Sequence, residues 1–89
     1  MLRLTVVSQS PVEVVLKVEG WVDEEDVALL EEEVERRLKE AGRLVLDLDG
    51  VKLIGPAGIA LLRSWSGERL ALRAEAMFMQ QLLKTHGLV

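Results

Sequence analysis

The chain is predicted to form one α/β domain over residues 1–89: a single-layer mixed β-sheet of about four strands with three helices, in the order β-β-α-β-α-β-α. Apolar and polar residues alternate over residues 2–6 and 12–18, which predicts two half-buried strands. Apolar residues then recur at helical spacing over residues 23–42. A nearly continuous apolar run at 43–48 follows, which favours a central strand covered on both faces and reached by a parallel crossover.

The first two strands are expected to form a hairpin. Gln9, Ser10 and Pro11 mark the turn between them, and Gly20 is expected to end the second strand. Asp23 is the expected N-cap of the first helix, because acidic residues fill the next turn, where negative charge meets the positive end of the helix dipole.

The first helix is predicted to be long and to lie on the surface. Its apolar stripe consists of Val27, Leu30, Val34, Leu38 and Ala41. Oppositely charged residues four positions apart lie on the other face, namely Glu32 with Arg36, Glu33 with Arg37 and Glu35 with Lys39. Gly42 is the expected stop signal.

The second helix is predicted to run from about Ala57 to Trp65. Gly55 is an acceptable N-cap, and Pro56 suits the first helical position, where its missing N–H would have had no partner within the helix. Gly67 is expected to break the helix.

A short strand at 70–73 and a third helix at 74–86 complete the prediction. Met77, Leu82 and Leu83 are expected near one face of that helix, and Gly87 is its expected stop. With this order of elements, the helices should cover one face of the mixed sheet.

Composition argues against several classes of function. The chain has no cysteine and one histidine, so neither a metal nor another cofactor is expected. A net charge of −4 argues against a nucleic-acid partner. No apolar run is long enough to insert into a membrane, and residues 1–5 lack the features of a signal peptide, so a cytoplasmic location is expected.

Asp47 and Asp49 form a pair of carboxylates whose side chains could point the same way from a strand. Such a pair could serve acid–base catalysis or bind Mg²⁺. The structural interpretation is that both residues stabilise a turn through hydrogen bonds to the backbone. No catalytic histidine or lysine lies nearby in the sequence, so no catalytic residue is assigned.

The start of the second helix can be interpreted in two ways. Free N–H groups at a helix start attract phosphates, so a nucleotide or anion could bind there, although no Walker lysine is present. Alternatively, the small residues leave a bare patch that a partner's backbone can approach, with Gly58 giving access and Ile59 in the core or at the rim. Trp65 could join such a surface or cap the core.

Three segments in order resemble the STAS domain, the family of bacterial anti-sigma factor antagonists and sulfate-transporter tails. They are the strand, acidic turn and helix start at 44–62, the strand-Gly-Trp-Val-Asp entry to the first helix at 18–23, and the leucine-rich helix that closes in Thr-His-Gly-Leu at 82–88. In the regulatory branch of this family, the serine before the helix glycine is phosphorylated. Ala57 stands at that position, and no hydroxyl lies between Asp49 and Arg63.

The compact form is also similar to STAS-type accessory subunits of lipid-transport ABC transporters. The resemblance implies a non-enzymatic interaction module that docks an ATP-using protein, either an ABC-transporter ATPase or an anti-sigma factor kinase, through the start of the second helix. A sensor of a nucleotide or anion is the alternative, and a homodimer remains open. The expected partner-binding residues are Gly55, Pro56, Ala57, Gly58, Ile59 and Trp65, with Asp23, Asp47 and Asp49 as acidic residues of turns.

Overall fold

The computed structural model describes residues 2–65 and 69–88, so the predicted break at Gly67 lies outside the described residues. The elements follow the predicted order and confirm the α/β class: β1 (Leu2–Gln9), β2 (Glu13–Val22), α1 (Glu24–Glu40), β3 (Arg43–Ile54), α2 (Pro56–Ser64), β4 (Leu70–Arg73) and α3 (Met77–Thr85).

The four strands form one mixed sheet in the order β1-β2-β3-β4. β1 and β2 are the predicted antiparallel hairpin, whereas β2, β3 and β4 run parallel to one another. A helix follows each of the three parallel strands, so all three helices begin at the same side of the sheet. We call this side, where β2, β3 and β4 end, the carboxyl edge.

Two predicted strand ends are wrong. Gly20 does not end β2, which continues to Val22, and the acidic segment at Asp49 does not end β3, which continues to Ile54. The pairing of β2 with β3 shifts register twice, between Lys17 and Glu19 and again after Gly20. These β-bulges let both strands continue through residues that resemble turn signals in the sequence.

The helices pack on one face of the sheet, and the core lies between them. The core contains the alternate residues Val14, Leu16 and Val18 of β2 and Leu44, Leu46 and Leu48 of β3, together with Leu30 and Val34 of the predicted stripe on α1. Val15 and Val45 are also buried, but they lie outside this cluster on the face without a helix, which we call the open face. Residues 44–46 of β3 are therefore buried on both faces of the sheet, as predicted, and the helices lie on one face, also as predicted.

The carboxyl end of α1 depends on contacts that the sequence did not reveal. The helix ends at Glu40, before the predicted stop at Gly42, and Gly42 does not adopt a positive φ. Instead, the guanidinium of Arg69 donates hydrogen bonds to the carbonyls of Leu38, Ala41 and Gly42. A cation at the carboxyl end of a helix also complements the helix dipole.

The predicted Glu33–Arg37 ion pair forms, with Arg37 Nε 2.8 Å from Glu33 Oε2. Arg36 also binds Glu33, at 2.5 Å, rather than the predicted Glu32. The hydrogen bonds from both arginines lower the pKa of Glu33.

The third helix begins later than predicted, at Met77 instead of Ala74. Met79 and Leu83 form its buried face, while Met77 is 76% exposed, so the predicted face is wrong for Met77. The predicted stop is confirmed: Gly87 has a φ of +68°, and the N–H of Leu88 donates to the carbonyl of Leu83 at 2.8 Å. This is the Schellman geometry that favours glycine.

Candidate functional site

The start of α2 is attached directly to the end of β2. Gly55 is the N-cap in an extended conformation, and Pro56 is the first helical residue, as predicted. The N–H of Gly55 donates to the carbonyl of Val22 at 2.8 Å, and the N–H of Ile59 donates to the carbonyl of Gly55 at 3.0 Å. The helix start is therefore held in a fixed position at the carboxyl edge.

Gly58 packs against the sheet rather than facing solvent. A Cβ at this position would lie 2.7 Å from the carbonyl oxygen of Val22 and 2.9 Å from Cγ2 of Ile54. The expectation that Gly58 is accessible to a partner is therefore wrong, and its role is to let α2 approach β2 closely. Ile59 is likewise buried, which agrees with a position in the core.

The accessible part of the α2 start consists of Pro56 and Ala60, which are exposed, with Gly55 and Ala57 half-buried. Ala57 is the second residue of the helix. A methyl group there provides contact area without a group that can be phosphorylated.

Asp23 lies beside the start of α2. A Cβ added to Gly55 would be 3.7 Å from Cβ of Asp23. Asp23 is the N-cap of α1, as predicted, and its carbonyl accepts the N–H groups of Asp26 and Val27 at 3.0 Å each. Its side chain makes no capping hydrogen bond, and Oδ1 is buried without a hydrogen-bond partner among the described residues.

Asp49 connects β3 to the start of α3. Its carboxylate accepts the backbone N–H of Glu75 at 2.9 Å and that of Ala76 at 2.8 Å. These two hydrogen bonds lower the pKa of Asp49. They also hold the residues before α3 in a non-helical conformation, which is why the helix begins later than the sequence predicts.

Asp47 has a structural environment as well. Its Oδ1 accepts the N–H of Asp49 at 3.1 Å, and its Oδ2 lies 3.3 Å from Nη2 of Arg73. Both carboxylates make structural contacts, but Asp47 and Asp49 lie within β3, so the prediction that they end a strand and stabilise a turn is wrong. In the part of the chain that the structure describes, no group of three or more His, Cys, Asp or Glu side chains could hold a metal ion.

Exposed apolar side chains lie along the carboxyl edge. Trp21 is 50% exposed and its partner on β3, Leu53, is 53% exposed, while Met77 and Phe78 at the start of α3 are 76% and 67% exposed. Sequence reasoning did not assign Leu53 to the site, because the bulges in the β2–β3 pairing change which residues of β3 face outward. The alternation of apolar and polar residues along β3 after Leu48 does not reveal that the outward-facing positions change at the bulges.

Trp65 does not join the start of α2. It is half-buried at the C-cap of α2 and packs against the core cluster. The N-cap Gly55 is ten residues away, roughly 15 Å along the helix axis. These two parts of the expected partner-binding set therefore lie at opposite ends of one helix.

Two of the solved structures that match this chain are similar to it over almost its whole length. An anti-sigma factor antagonist from Mycobacterium paratuberculosis has a TM-score of 0.79 at 20% sequence identity, and the match covers 99% of this chain and 80% of that one. The anti-sigma factor antagonist SpoIIAA in its unphosphorylated form has a TM-score of 0.69 at 14% identity, and the match covers 99% of this chain and 82% of that one. At these identities the likeness shows a shared fold.

No curated protein matches the chain. No helix within residues 2–65 and 69–88 is long and apolar enough to cross a membrane. The model of one family, described as "Mlab, STAS domain", matches residues 5–89. The chain belongs to the STAS domain family.

Proposed function

We propose that this STAS domain is a non-enzymatic interaction module that docks an ATP-using protein at the carboxyl edge, around the start of α2. The observation that carries the proposal is the group of exposed apolar side chains at this edge: Trp21, Leu53, Met77 and Phe78. Trp21 and Leu53 are neighbours across β2 and β3, and adjacent exposed apolar side chains favour an interaction surface. Tryptophan is also enriched among the residues that dominate binding energy.

The packing beneath this surface supports docking without rearrangement. Gly58 brings α2 into direct contact with β2, and the Gly55–Val22 hydrogen bond fixes where the helix begins. A surface that is already ordered loses little conformational entropy when a partner binds.

There are two candidate partners, the ATPase of an ABC transporter and an anti-sigma factor kinase. Two solved structures with this fold are named anti-sigma factor antagonists, which supports the kinase. Ala57 supports the transporter ATPase, because a helix start without a hydroxyl cannot be switched by phosphorylation and suits a constitutive complex. Either partner would meet this domain in the cytoplasm.

A nucleotide or anion sensor at the start of α2 is less well supported. Pro56 has no N–H to donate to a phosphate, and the carboxylate of Asp23 lies beside Gly55, where it would repel an anion. Calorimetric titration with ATP, GTP and phosphate tests this alternative, because saturable heat would support a sensor and its absence would support docking alone.

The docking proposal is tested with Leu53→Asp and the matched control Val12→Asp. Leu53 is exposed at the carboxyl edge, and Val12 is 73% exposed at the opposite side of the sheet. Tagged wild type is used to capture proteins from native lysate, and the captured protein is then purified and titrated against each variant. We expect Leu53→Asp to weaken binding by about tenfold or more and Val12→Asp to leave it unchanged.

Equal binding by the two variants would move the interface away from the carboxyl edge. Capture of a protein that does not use ATP would reject the proposed partner class, and failure to capture any specific protein would reject stable docking.

A further inference from the structure

A groove of about 510 Å³ lies at the end of the open face, beside the carboxyl edge. It is lined by Arg3, Glu19, Gly20, Trp21, Gly50 and Lys52, and we call it the Trp21 groove. Trp21 pairs across the sheet with Leu53, so the groove is continuous with the proposed docking surface.

Two glycines at the β-bulges form the floor of the groove. Gly20 has a φ of +97°, a conformation that other residues rarely adopt. A Cβ on Gly50 would lie 2.6 Å from Cγ of Glu19, so only glycine lets the Glu19 side chain lie across β3. The half-exposed indole of Trp21 stands beside this floor, where an apolar side chain could pack against it.

The groove is cationic although the whole chain is acidic. Arg3 and Lys52 are exposed, and within the described residues neither side chain forms an ion pair or a hydrogen bond. Glu19 is the one acidic residue among those that line the groove. In a chain with a net charge of −4, this local excess of positive charge complements an acidic ligand.

The shape of the groove favours a peptide over a small molecule. Sites for small molecules enclose most of the ligand surface, whereas this groove lies open on a sheet face. An extended segment needs no enclosure, because its apolar anchor packs against one wall while its charged groups remain near solvent. A tryptophan wall provides a large contact area with little loss of side-chain entropy.

We propose that the Trp21 groove binds an extended acidic segment of the docked protein, with an apolar side chain against Trp21 and carboxylates near Arg3 and Lys52. This inference rests on the proposed function, because the segment belongs to the protein seated at the carboxyl edge. The segment would form a second contact between the partner and this domain, and the inference specifies that the partner carries an acidic extended segment.

The test is selection of random dodecapeptides on the full chain, followed by fluorescence anisotropy with the enriched peptides. We expect these peptides to carry net negative charge and at least one large apolar residue, and their affinity to fall as salt increases. Lys52→Glu should weaken binding by about tenfold, and Trp21→Ala should weaken it comparably. Lys39→Glu, the same charge change at an exposed lysine of α1, should have no effect.

Peptides without acidic bias, equal binding by Lys52→Glu and Lys39→Glu, or no enrichment at all would overturn the proposal. Displacement of the peptides by ATP, GTP or phosphate would overturn it in favour of a small-anion site. A captured partner that binds Lys52→Glu normally but fails to bind Leu53→Asp is a further outcome. That result would support docking at the carboxyl edge and reject the groove as a binding site. If acidic peptides bind in the groove but no ATP-using protein docks to the domain, the proposed function is rejected while the peptide-binding groove is supported.

Discussion

At the scale of single residues, Gly58 determines how closely α2 approaches the sheet. We expect Gly58→Ala to lower the free energy of unfolding by about 1–3 kcal/mol, because the added Cβ would overlap the carbonyl oxygen of Val22. That oxygen also accepts the N–H of Gly55, so it cannot move freely. Urea denaturation measures the change.

Gly55→Ala is the matched control for Gly58→Ala. A Cβ at Gly55 would make only ordinary contacts, at 3.7 Å from Asp23 and Val22. Its expected cost is below about 1 kcal/mol, from the weaker N-cap. Equal losses in the two variants would contradict the close packing assigned to Gly58.

Asp49 gives a second residue-level prediction, which concerns pH. Hydrogen bonds from Ala76 and Glu75 hold its pKa below the ordinary value of 3.8. Its carboxylate therefore stabilises the fold fully above that value, and the contribution is lost as the pH falls through the lowered pKa. Asp49→Asn should be less stable than wild type at neutral pH, and the difference should shrink below about pH 4.

The measurement for Asp49 is urea denaturation at a series of pH values. Glu31→Gln, at an exposed position on α1, removes one negative charge without touching the start of α3. If Asp49→Asn follows the same pH profile as this control, the hydrogen bonds to Glu75 and Ala76 do not stabilise the fold.

At the scale of secondary-structure elements, the bulges in the β2–β3 pairing orient Trp21. Gly20→Ala would place a side chain at a φ of +97°, which should cost about 1–3 kcal/mol. We also expect the fluorescence of Trp21 to change, because relaxing this strain alters the bulge from which the indole projects. Equilibrium denaturation and the emission spectrum report the two effects, and a variant as stable as wild type would show that the conformation is not strained.

The elements also show where sequence patterns suffice. β4 was predicted at its observed bounds from its short apolar run, and Gly55 with Pro56 located the start of α2. The start of α3 could not be predicted, because it depends on hydrogen bonds from Asp49, which is 26 residues away from Glu75 in the sequence. The end of α1 depends in the same way on distant Arg69.

At the scale of the whole molecule, the fold class, the order of elements and the single sheet were predictable, because hydrophobic periodicity reports burial along each element. The site was only partly predictable. The helix start at Gly55–Ala57 was found from local signals, whereas Leu53 and the Trp21 groove depend on the register between two strands. Periodicity in one strand contains no information about a bulge in its pairing with another.

All three helices begin at the carboxyl edge. The residues exposed there can determine which partner binds, whereas other residues maintain the fold. The stripes that hold the core face inward, whereas Leu53, Pro56, Met77 and Phe78 come from different segments and contribute mainly outward-facing surface. Substitutions at these positions can therefore accumulate without disturbing the core. Divergent members of the family can thus bind different partners with the same fold. Binding specificity is then determined by surface residues that are scattered along the sequence rather than by one continuous motif.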